Sequence, residues 1–193
     1  MISVCFLEAE KDPSIEVGAI LKEINGNYRV GNSDYFILES CEYMGNFLKF
    51  NPNAEIVLNI DSDHLDYYKT FENVVKAFQD FSRLLEPKGL LVANADDENC
   101  YNLKNITTGR FVSYGIENKN ADFVAKNIQF NKEGFANFEV YKNNTLLSNI
   151  ELSVPGKHNV LNALATIAVC INYGIDIETI QSGLKKFTGA SRR

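Results

Sequence analysis

Acidic side chains and a histidine follow two short apolar runs of this sequence. Glu39 follows the first run, and the second run leads into Asp61, Asp63 and His64. Apolar runs of this kind are typical of strands in a parallel sheet, and such sheets bind ligands at the carboxyl ends of their strands. A carboxylate there suits Mg²⁺, which prefers oxygen ligands, and a neutral imidazole could hold a second divalent ion. The residues alone also permit a solvated strand cap at Glu39 and Asx-type capping by the aspartates.

A second group of residues lies near the end of the chain. Pro155 and Gly156 precede an apolar helical stretch in which Asn159 and Asn162 are three residues apart and therefore share one helix face. An amide side chain offers a donor and an acceptor together, as the edge of a purine base requires. The alternative is helix capping by Asn159 with a solvated Asn162.

The last two residues, Arg192 and Arg193, could clamp phosphate oxygens. The alternative is a solvated cationic tail.

Composition excludes several classes of function. Lys plus Arg is 19 and Asp plus Glu is 25, a net charge of −6, which argues against a nucleic acid partner. Charge appears as early as Glu8 and the longest uncharged run contains three asparagines, so we expect neither a signal peptide nor a membrane span. The four cysteines form no CxxC pair and predict reduced, buried thiols in a cytoplasmic protein. They are Cys5, Cys41, Cys100 and Cys170.

The predicted elements describe an α/β protein. Its core is a mostly parallel sheet flanked by helices, with buried strands at Tyr35–Leu38, Glu55–Ile60 and Leu90–Asn94. Residues 122–154 predict a small antiparallel β patch because tight turns separate alternating segments. Two helices close the chain, and the second has Asp176 as its N-cap.

Four segments together resemble the central domain of the Mur ligases. They are 39–42 (Glu-Ser-Cys-Glu), 59–68 (Asn-Ile-Asp-Ser-Asp-His-Leu-Asp-Tyr-Tyr), 155–163 (Pro-Gly-Lys-His-Asn-Val-Leu-Asn-Ala) and 187–193 (Phe-Thr-Gly-Ala-Ser-Arg-Arg). The resemblance runs from end to end, and the form of the second segment favours the branch that joins L-alanine to UDP-N-acetylmuramate.

The resemblance implies a reaction and a role for each candidate residue. Peptidoglycan precursor synthesis would proceed through an acyl phosphate made with ATP. Glu39 would hold Mg²⁺ at the ATP phosphates, and His64 would serve a possible second divalent ion near the acyl phosphate. Adenine would be read by Asn159 and Asn162. Arg193, with Arg192 as its alternative, would meet the terminal phosphates.

The resemblance also implies what residues 1–193 leave out. The family's glycine-rich phosphate loop, Gly-Thr-x-Gly-Lys-Thr-Thr, does not occur in the sequence. We therefore expect a P-loop NTPase-like central domain that lacks its first strand and phosphate loop, together with the UDP-binding and amino-acid-binding domains. Such a chain would be inactive alone and inclined to associate with itself. A non-catalytic nucleotide-binding or assembly module that retains the fold is the alternative.

Overall fold

The computed structural model describes residues 1–191, which form helices and strands in the order expected for an α/β protein. The α-helices are α1 (Ile2–Glu8), α2 (Leu65–Tyr68), α3 (Phe71–Arg83), α4 (Glu98–Asn102), α5 (Lys157–Asn172) and α6 (Ile177–Lys186). The strands are β1 (Ser14–Leu21), β2 (Gly26–Arg29), β3 (Phe36–Leu38), β4 (Ala54–Val57), β5 (Leu90–Asn94), β6 (Arg110–Gly115), β7 (Phe123–Phe130), β8 (Phe135–Lys142), β9 (Thr145–Pro155) and β10 (Ala190–Ser191). Short 3₁₀ turns occur at Lys22–Ile24, Tyr43–Lys49 and Leu103–Asn105.

The chain divides into two compact units. One contains residues 1–39 and the residues from 125 onward, and the other contains residues 40–124. We refer to them as the first unit and the second unit.

The second unit is built on parallel strand pairing. Strands β4, β5 and β6 pair in parallel in that order, and β6 pairs in parallel with the start of β7. Every residue of β5 is buried, as its continuous apolar sequence predicts for a central parallel strand. Thr70 caps the start of helix α3, since its side chain accepts a hydrogen bond from the Asn73 backbone N–H. The apolar side chains of α3 pack into the core of this unit.

The first unit contains the antiparallel strands and the two closing helices. Strands β8 and β9 pair antiparallel, and β1 pairs antiparallel with β2 and β10. Helix α5 is buried over most of its length. Asp176 is the N-cap of α6, and its carboxylate accepts the Thr179 backbone N–H at 2.8 Å. Helix α6 approaches α1 closely enough that a Cβ added at Gly183 would lie 2.8 Å from the Cα of Cys5.

The expected fold class is confirmed, but one strand was assigned wrongly. The run at residues 35–38 forms the three-residue strand β3, which pairs in parallel with β1 instead of joining β4 and β5. It is not buried, since Phe36 is 59% exposed. A short apolar run predicts extended backbone, but it does not specify which strand will be the partner.

Three further differences concern single elements. Strand β4 ends at Val57, three residues earlier than predicted, and strand β6 was not predicted at all. Cys41 is exposed, so its prediction as a buried thiol was wrong, whereas the other three cysteines are buried. Within the described residues, no helix combines the length and apolar character needed to cross a lipid bilayer.

Candidate functional site

The segment after β4 is held in place by side chains from the end of the neighbouring strand. Beyond Val57, the carbonyl of Leu58 accepts a hydrogen bond from Asn94 Nδ2 at 3.1 Å. The backbone N–H of Ile60 donates to Asp97 Oδ2 at 3.2 Å. Asp97 is also the N-cap of α4. Side-chain hydrogen bonds from Asn94 and Asp97 therefore take the place of strand-to-strand backbone bonds beyond Val57 and hold the segment that leads to His64. Neither side chain was predicted from the sequence as part of a site.

His64 stands at a tight turn with an unusual backbone. Its φ and ψ are 57° and 36°, the left-handed region, and it is the N-cap residue of α2. Residues with a Cβ seldom adopt this conformation, although histidine does so more often than most. Helix α2 begins without a side-chain cap, so the capping alternative for Asp61 and Asp63 is not supported for this helix. Asp61 instead accepts the next backbone N–H, from Ser62, at 2.7 Å.

The imidazole of His64 meets two side chains from another segment. Its Nε2 lies 3.1 Å from Oε1 of Glu42, and one potential ligand atom each from Cys41, Glu42 and His64 lie within 4.8 Å of one another. The ring of Tyr43 packs beside the imidazole, with 4.8 Å between ring centroids. We call Cys41, Glu42 and His64 the Cys41–His64 cluster. Only His64 was predicted as a site residue.

A buried tyrosine connects the two segments that carry this cluster. Tyr68 is 8% exposed, and its hydroxyl donates to the backbone carbonyl of Glu42. Its backbone N–H donates to the carbonyl of His64 at 3.0 Å, while its own carbonyl accepts from Asn73 Nδ2 at 2.8 Å. Burial raises the pKa of the Tyr68 hydroxyl, so it remains a hydrogen-bond donor at neutral pH. Tyr68 thereby holds the cluster's two backbone segments together.

Beside the cluster is a hollow of about 190 Å³ with an oxygen-rich lining. Its polar walls come from Glu42, Asn59, Asp61 and Asp63, and its apolar base from helix α3. Carboxylate and amide oxygens around an open space fit Mg²⁺, which keeps several waters when bound. This oxygen set suits a hard cation, but Glu39, to which the resemblance assigns Mg²⁺, is not one of the residues that line the hollow. The imidazole of His64 lies 3.1 Å from one of them, Glu42.

Glu39 is placed within the first unit. It comes directly after β3, and its Oε2 accepts the backbone N–H of Gly18 at 2.9 Å. A Cβ at position 18 would lie 3.5 Å from the carboxylate oxygens, so an alanine there could be accommodated. The Glu39 side chain is exposed and accepts a backbone donor, an arrangement that fits a strand cap as well as an oxygen ligand for a cation. Its role toward Mg²⁺ stays a prediction.

The two asparagines predicted to hold adenine, Asn159 and Asn162, lie together in the first unit. Helix α5 starts just after Gly156, whose φ of 102° is a conformation that glycine adopts readily. Asn159 Nδ2 donates to the carbonyl of Pro155 at 2.8 Å, and Asn162 Nδ2 donates to Asn159 Oδ1 at 3.2 Å. Both side chains are half-buried, and each amide has two N–H groups and two lone pairs. The pair can therefore still present a donor and an acceptor to a base edge.

The cationic pair at the end of the chain, Arg192 and Arg193, lies outside the described residues. Its proposed contact with phosphate stays a prediction.

Comparison with protein families identifies the class to which the chain belongs. The family model for the Mur ligase middle domain matches residues 14–170 of the sequence. The chain therefore belongs to the Mur ligase family, as its four motifs predicted.

The curated relatives that match the chain include ligases of one kind. The chain is 50% identical to the UDP-N-acetylmuramate–L-alanine ligase of Clostridium kluyveri (strain ATCC 8527) and 49% identical to that of Clostridium acetobutylicum. Each match covers 100% of the chain and 42% of the relative. The chain thus spans about two fifths of the length of these enzymes.

Solved structures agree with the fold. The crystal structure of the UDP-N-acetylmuramate–alanine ligase MurC from Thermotoga maritima matches with a TM-score of 0.85 and 30% identity, over 100% of this chain and 42% of that one. The UDP-N-acetylmuramate:L-alanyl-γ-D-glutamyl-meso-diaminopimelate ligase from Neisseria meningitides matches with a TM-score of 0.86 over 99% of this chain and 62% of that one. At 20% identity, the second match shows the fold alone.

Proposed function

We propose that the chain is the ATP-binding central domain of an enzyme that joins L-alanine to UDP-N-acetylmuramate in peptidoglycan precursor synthesis. This proposal rests on the match of the whole chain to part of enzymes named UDP-N-acetylmuramate–L-alanine ligase. In such an enzyme, binding of the UDP portion and of the amino acid would fall to other domains.

The proposed reaction has two steps. The carboxylate of UDP-N-acetylmuramate attacks the γ-phosphorus of ATP, which gives an acyl phosphate and ADP. The amine of L-alanine then attacks the acyl carbon, and inorganic phosphate leaves. Phosphoryl transfer of this kind needs positioning and charge neutralisation more than covalent help from the protein.

The residues of this chain would bind and orient the reactants. Asn159 and Asn162 would hold the adenine edge, and Arg193, or Arg192 in its place, would contact phosphate oxygens. Glu39 would hold Mg²⁺, and His64 would contribute to a possible second divalent site. The cation, when bound, would neutralise charge on the transferring phosphoryl group.

The missing loop motif leads to a proposal about this chain by itself. In the family, backbone N–H groups of the glycine-rich loop surround the phosphates. Helix N-termini and loops with successive backbone N–H groups that point inward bind anions in the same way. That motif does not occur in residues 1–193. We expect the chain alone to bind ATP weakly and to catalyse no ligation.

Calorimetry of ATP binding, with and without Mg²⁺, tests the first statement, and an assay for ligation with ATP, L-alanine and UDP-N-acetylmuramate tests the second. We would titrate this chain and an extended chain in which a segment that carries the motif Gly-Thr-x-Gly-Lys-Thr-Thr precedes residue 1. The extended chain should bind ATP at least tenfold more tightly, and Asn162→Ala in it should weaken binding about tenfold, since an unpaired polar edge costs one to a few kcal/mol.

The matched control is Asn172→Ala, at the other end of the same helix, where the amide bonds to the Ala168 carbonyl at 2.7 Å. This variant should keep the affinity of the extended chain. Ligation by the unextended chain would refute the statement about its inactivity. Equal affinities of the Asn162 and Asn172 variants would refute the adenine assignment.

A further inference from the structure

We propose that Cys5 and Cys170 form a redox-sensitive link between helices α1 and α5, open as two thiols and closed as a disulfide. Both side chains are fully buried, and both belong to the first unit. Two adjacent thiols of one chain can be oxidised to an internal disulfide, which a single thiol cannot form. The inference depends on these side chains alone and holds whether or not the chain acts as a ligase domain.

The contact between α1 and α5 brings the two thiols together. The thiols of Cys5 and Cys170 interact directly, and this contact, together with burial, raises the pKa of the Cys170 thiol. The next residue of α1, Phe6, packs against Tyr173 immediately after α5, with 5.8 Å between the ring centroids. The aromatic contact therefore fixes the end of α5 beside α1 at the level of the two sulfur atoms.

Helix α6 confines the thiol of Cys5 from another side. Its Sγ donates to the backbone carbonyl of Ile180 at 3.8 Å. A Cβ added at Gly183 would lie 2.9 Å from the same Sγ, so the sulfur atom rests against the backbone of α6. The sulfur of Cys5 therefore has little room to rotate away from Cys170.

The packed protein protects this pair from oxidants. A thiolate is the reactive form of cysteine, and the raised pKa of Cys170 keeps its thiol protonated at neutral pH. Because neither sulfur is exposed, oxidation requires a local opening in which α1 moves away from its neighbours. The link would thus close in response to both an oxidant and a loosened α1.

Helix α1 is suited to such an opening. It has seven residues and no side-chain cap, so its stability depends on packing. Near its end, Glu8 accepts hydrogen bonds from Ser182 Oγ at 2.7 Å and from Lys186 Nζ at 2.6 Å. These polar contacts with α6 can break and form again, whereas a disulfide to α5 would hold α1 covalently.

Hydrogen peroxide is an oxidant of the class that this step requires. One thiolate attacks a peroxide oxygen and breaks the O–O bond, which gives a sulfenic acid and, after proton uptake, water. The second thiol then attacks the sulfenic sulfur, the S–S bond forms and a second water leaves. Two thiols lose two electrons and two protons in total, and one peroxide becomes two waters. A reducing dithiol reverses the change by thiol–disulfide exchange.

The closed link would stabilise the first unit. More than 160 residues separate the two cysteines along the chain, and disulfides that close long loops restrict the unfolded chain most. We expect the oxidised chain to melt at least about 5 °C higher than the reduced chain. Dithiothreitol should return the melting temperature to its original value.

Peroxide treatment followed by mass spectrometry tests the link. The experiment uses the full chain with Cys41→Ser, because Cys41 is the one exposed cysteine of the four and would otherwise react first. The intact mass should fall by about 2 Da, for two hydrogens, and digestion should yield a peptide pair joined through Cys5 and Cys170. Urea at concentrations below the unfolding transition should speed the reaction, since opening of α1 limits its rate.

The matched control is the other buried cysteine, Cys100, which lies in the second unit. Cys100→Ala should keep the mass change and the rise in melting temperature, whereas Cys5→Ala and Cys170→Ala should each abolish both. The melting temperature of each reduced variant, measured before oxidant is added, shows that it is folded.

Three results would overturn the proposal. One is an unchanged mass after peroxide treatment, with or without low urea. Another is a disulfide that involves Cys100 or a second copy of the chain. The third is a Cys5–Cys170 disulfide that lowers the melting temperature, which would mean that the folded protein does not accommodate the link. None of them bears on ATP affinity, so the proposed ligase role and this link can fail separately.

Discussion

The Cys41–His64 cluster and the Asn159–Asn162 pair bring polar side chains together in different ways. The asparagines are neighbours because a regular helix places residues three apart on one face, and they bond directly at 3.2 Å. The cluster joins residues more than 20 positions apart, through a 3₁₀ turn, a left-handed histidine and a buried tyrosine. Local geometry is sufficient for the pair, whereas the cluster depends on tertiary contacts.

This difference predicts where substitutions will be costly. The Cys41–His64 cluster depends on one buried tyrosine, so it should lose its arrangement when that tyrosine is replaced, even though none of the cluster's own side chains changes. A site built on consecutive helical turns should lose only the interactions of the substituted side chain. The following experiments test this contrast.

Replacing the connecting residue of the cluster should have the largest effect. Tyr68→Ala removes a buried aromatic ring and the hydrogen bond from its hydroxyl to the Glu42 carbonyl, so we expect a loss of about 3–5 kcal/mol in the free energy of unfolding. Tyr68→Phe keeps the ring and loses one hydrogen bond, which costs about 1 kcal/mol. Urea unfolding followed by circular dichroism measures both. Equal losses for the two variants would mean that the hydrogen bond matters more than the packing.

A buried carboxyl group on β4 should make the stability of the protein depend on pH. Glu55, on β4, is 1% exposed, and burial raises its pKa from 4.5 to about 8, opposed in part by the nearby Ser82 hydroxyl. Between these two pH values the unfolded chain releases the proton while the folded chain keeps it, so stability falls as pH rises and levels off above pH 8. The loss should be on the order of 3 kcal/mol between pH 5 and pH 8.

The control for this effect is Glu55→Gln, which keeps the shape of the side chain and cannot ionise. The difference between the two unfolding curves isolates Glu55 from the other titrating groups. If that difference is independent of pH, the carboxyl does not stay protonated in the folded protein.

The asparagine pair should respond weakly by comparison. Asn162→Ala loses one hydrogen bond, worth about 1 kcal/mol, and gains part of this back through the higher helix propensity of alanine. The net change in the free energy of unfolding should be below about 1 kcal/mol. A double-mutant cycle with Asn159→Ala should give a coupling of similar size. A loss above 2 kcal/mol would show that this pair also supports packing.

The smallest change in stability should come from His64→Asn. Asparagine also tolerates the left-handed conformation, and the exposed pairing with Glu42 contributes little, so stability should change by less than about 0.5 kcal/mol. A large drop in melting temperature would assign His64 a structural role instead.

The features that the sequence predicted well are those that depend on neighbouring residues. The N-cap Asp176, the start of a helix after Gly156 and the buried run of β5 are each set by residue types within one or two turns. Spacing alone also indicated that Asn159 and Asn162 share a face. The motif resemblance identified the family in the same way, because each motif is a short contiguous segment.

Tertiary structure decided what the sequence left open. The residue types of Cys41 and Glu42 did not indicate that they would lie beside His64. The apolar run at residues 35–38 did not specify which strand would pair with β3. Such contacts depend on loop closure and on the side chains that hold the loops, here Asn94, Asp97 and Tyr68. A single sequence encodes local preferences directly, but it determines pairings over long separations only through the packing of the whole fold.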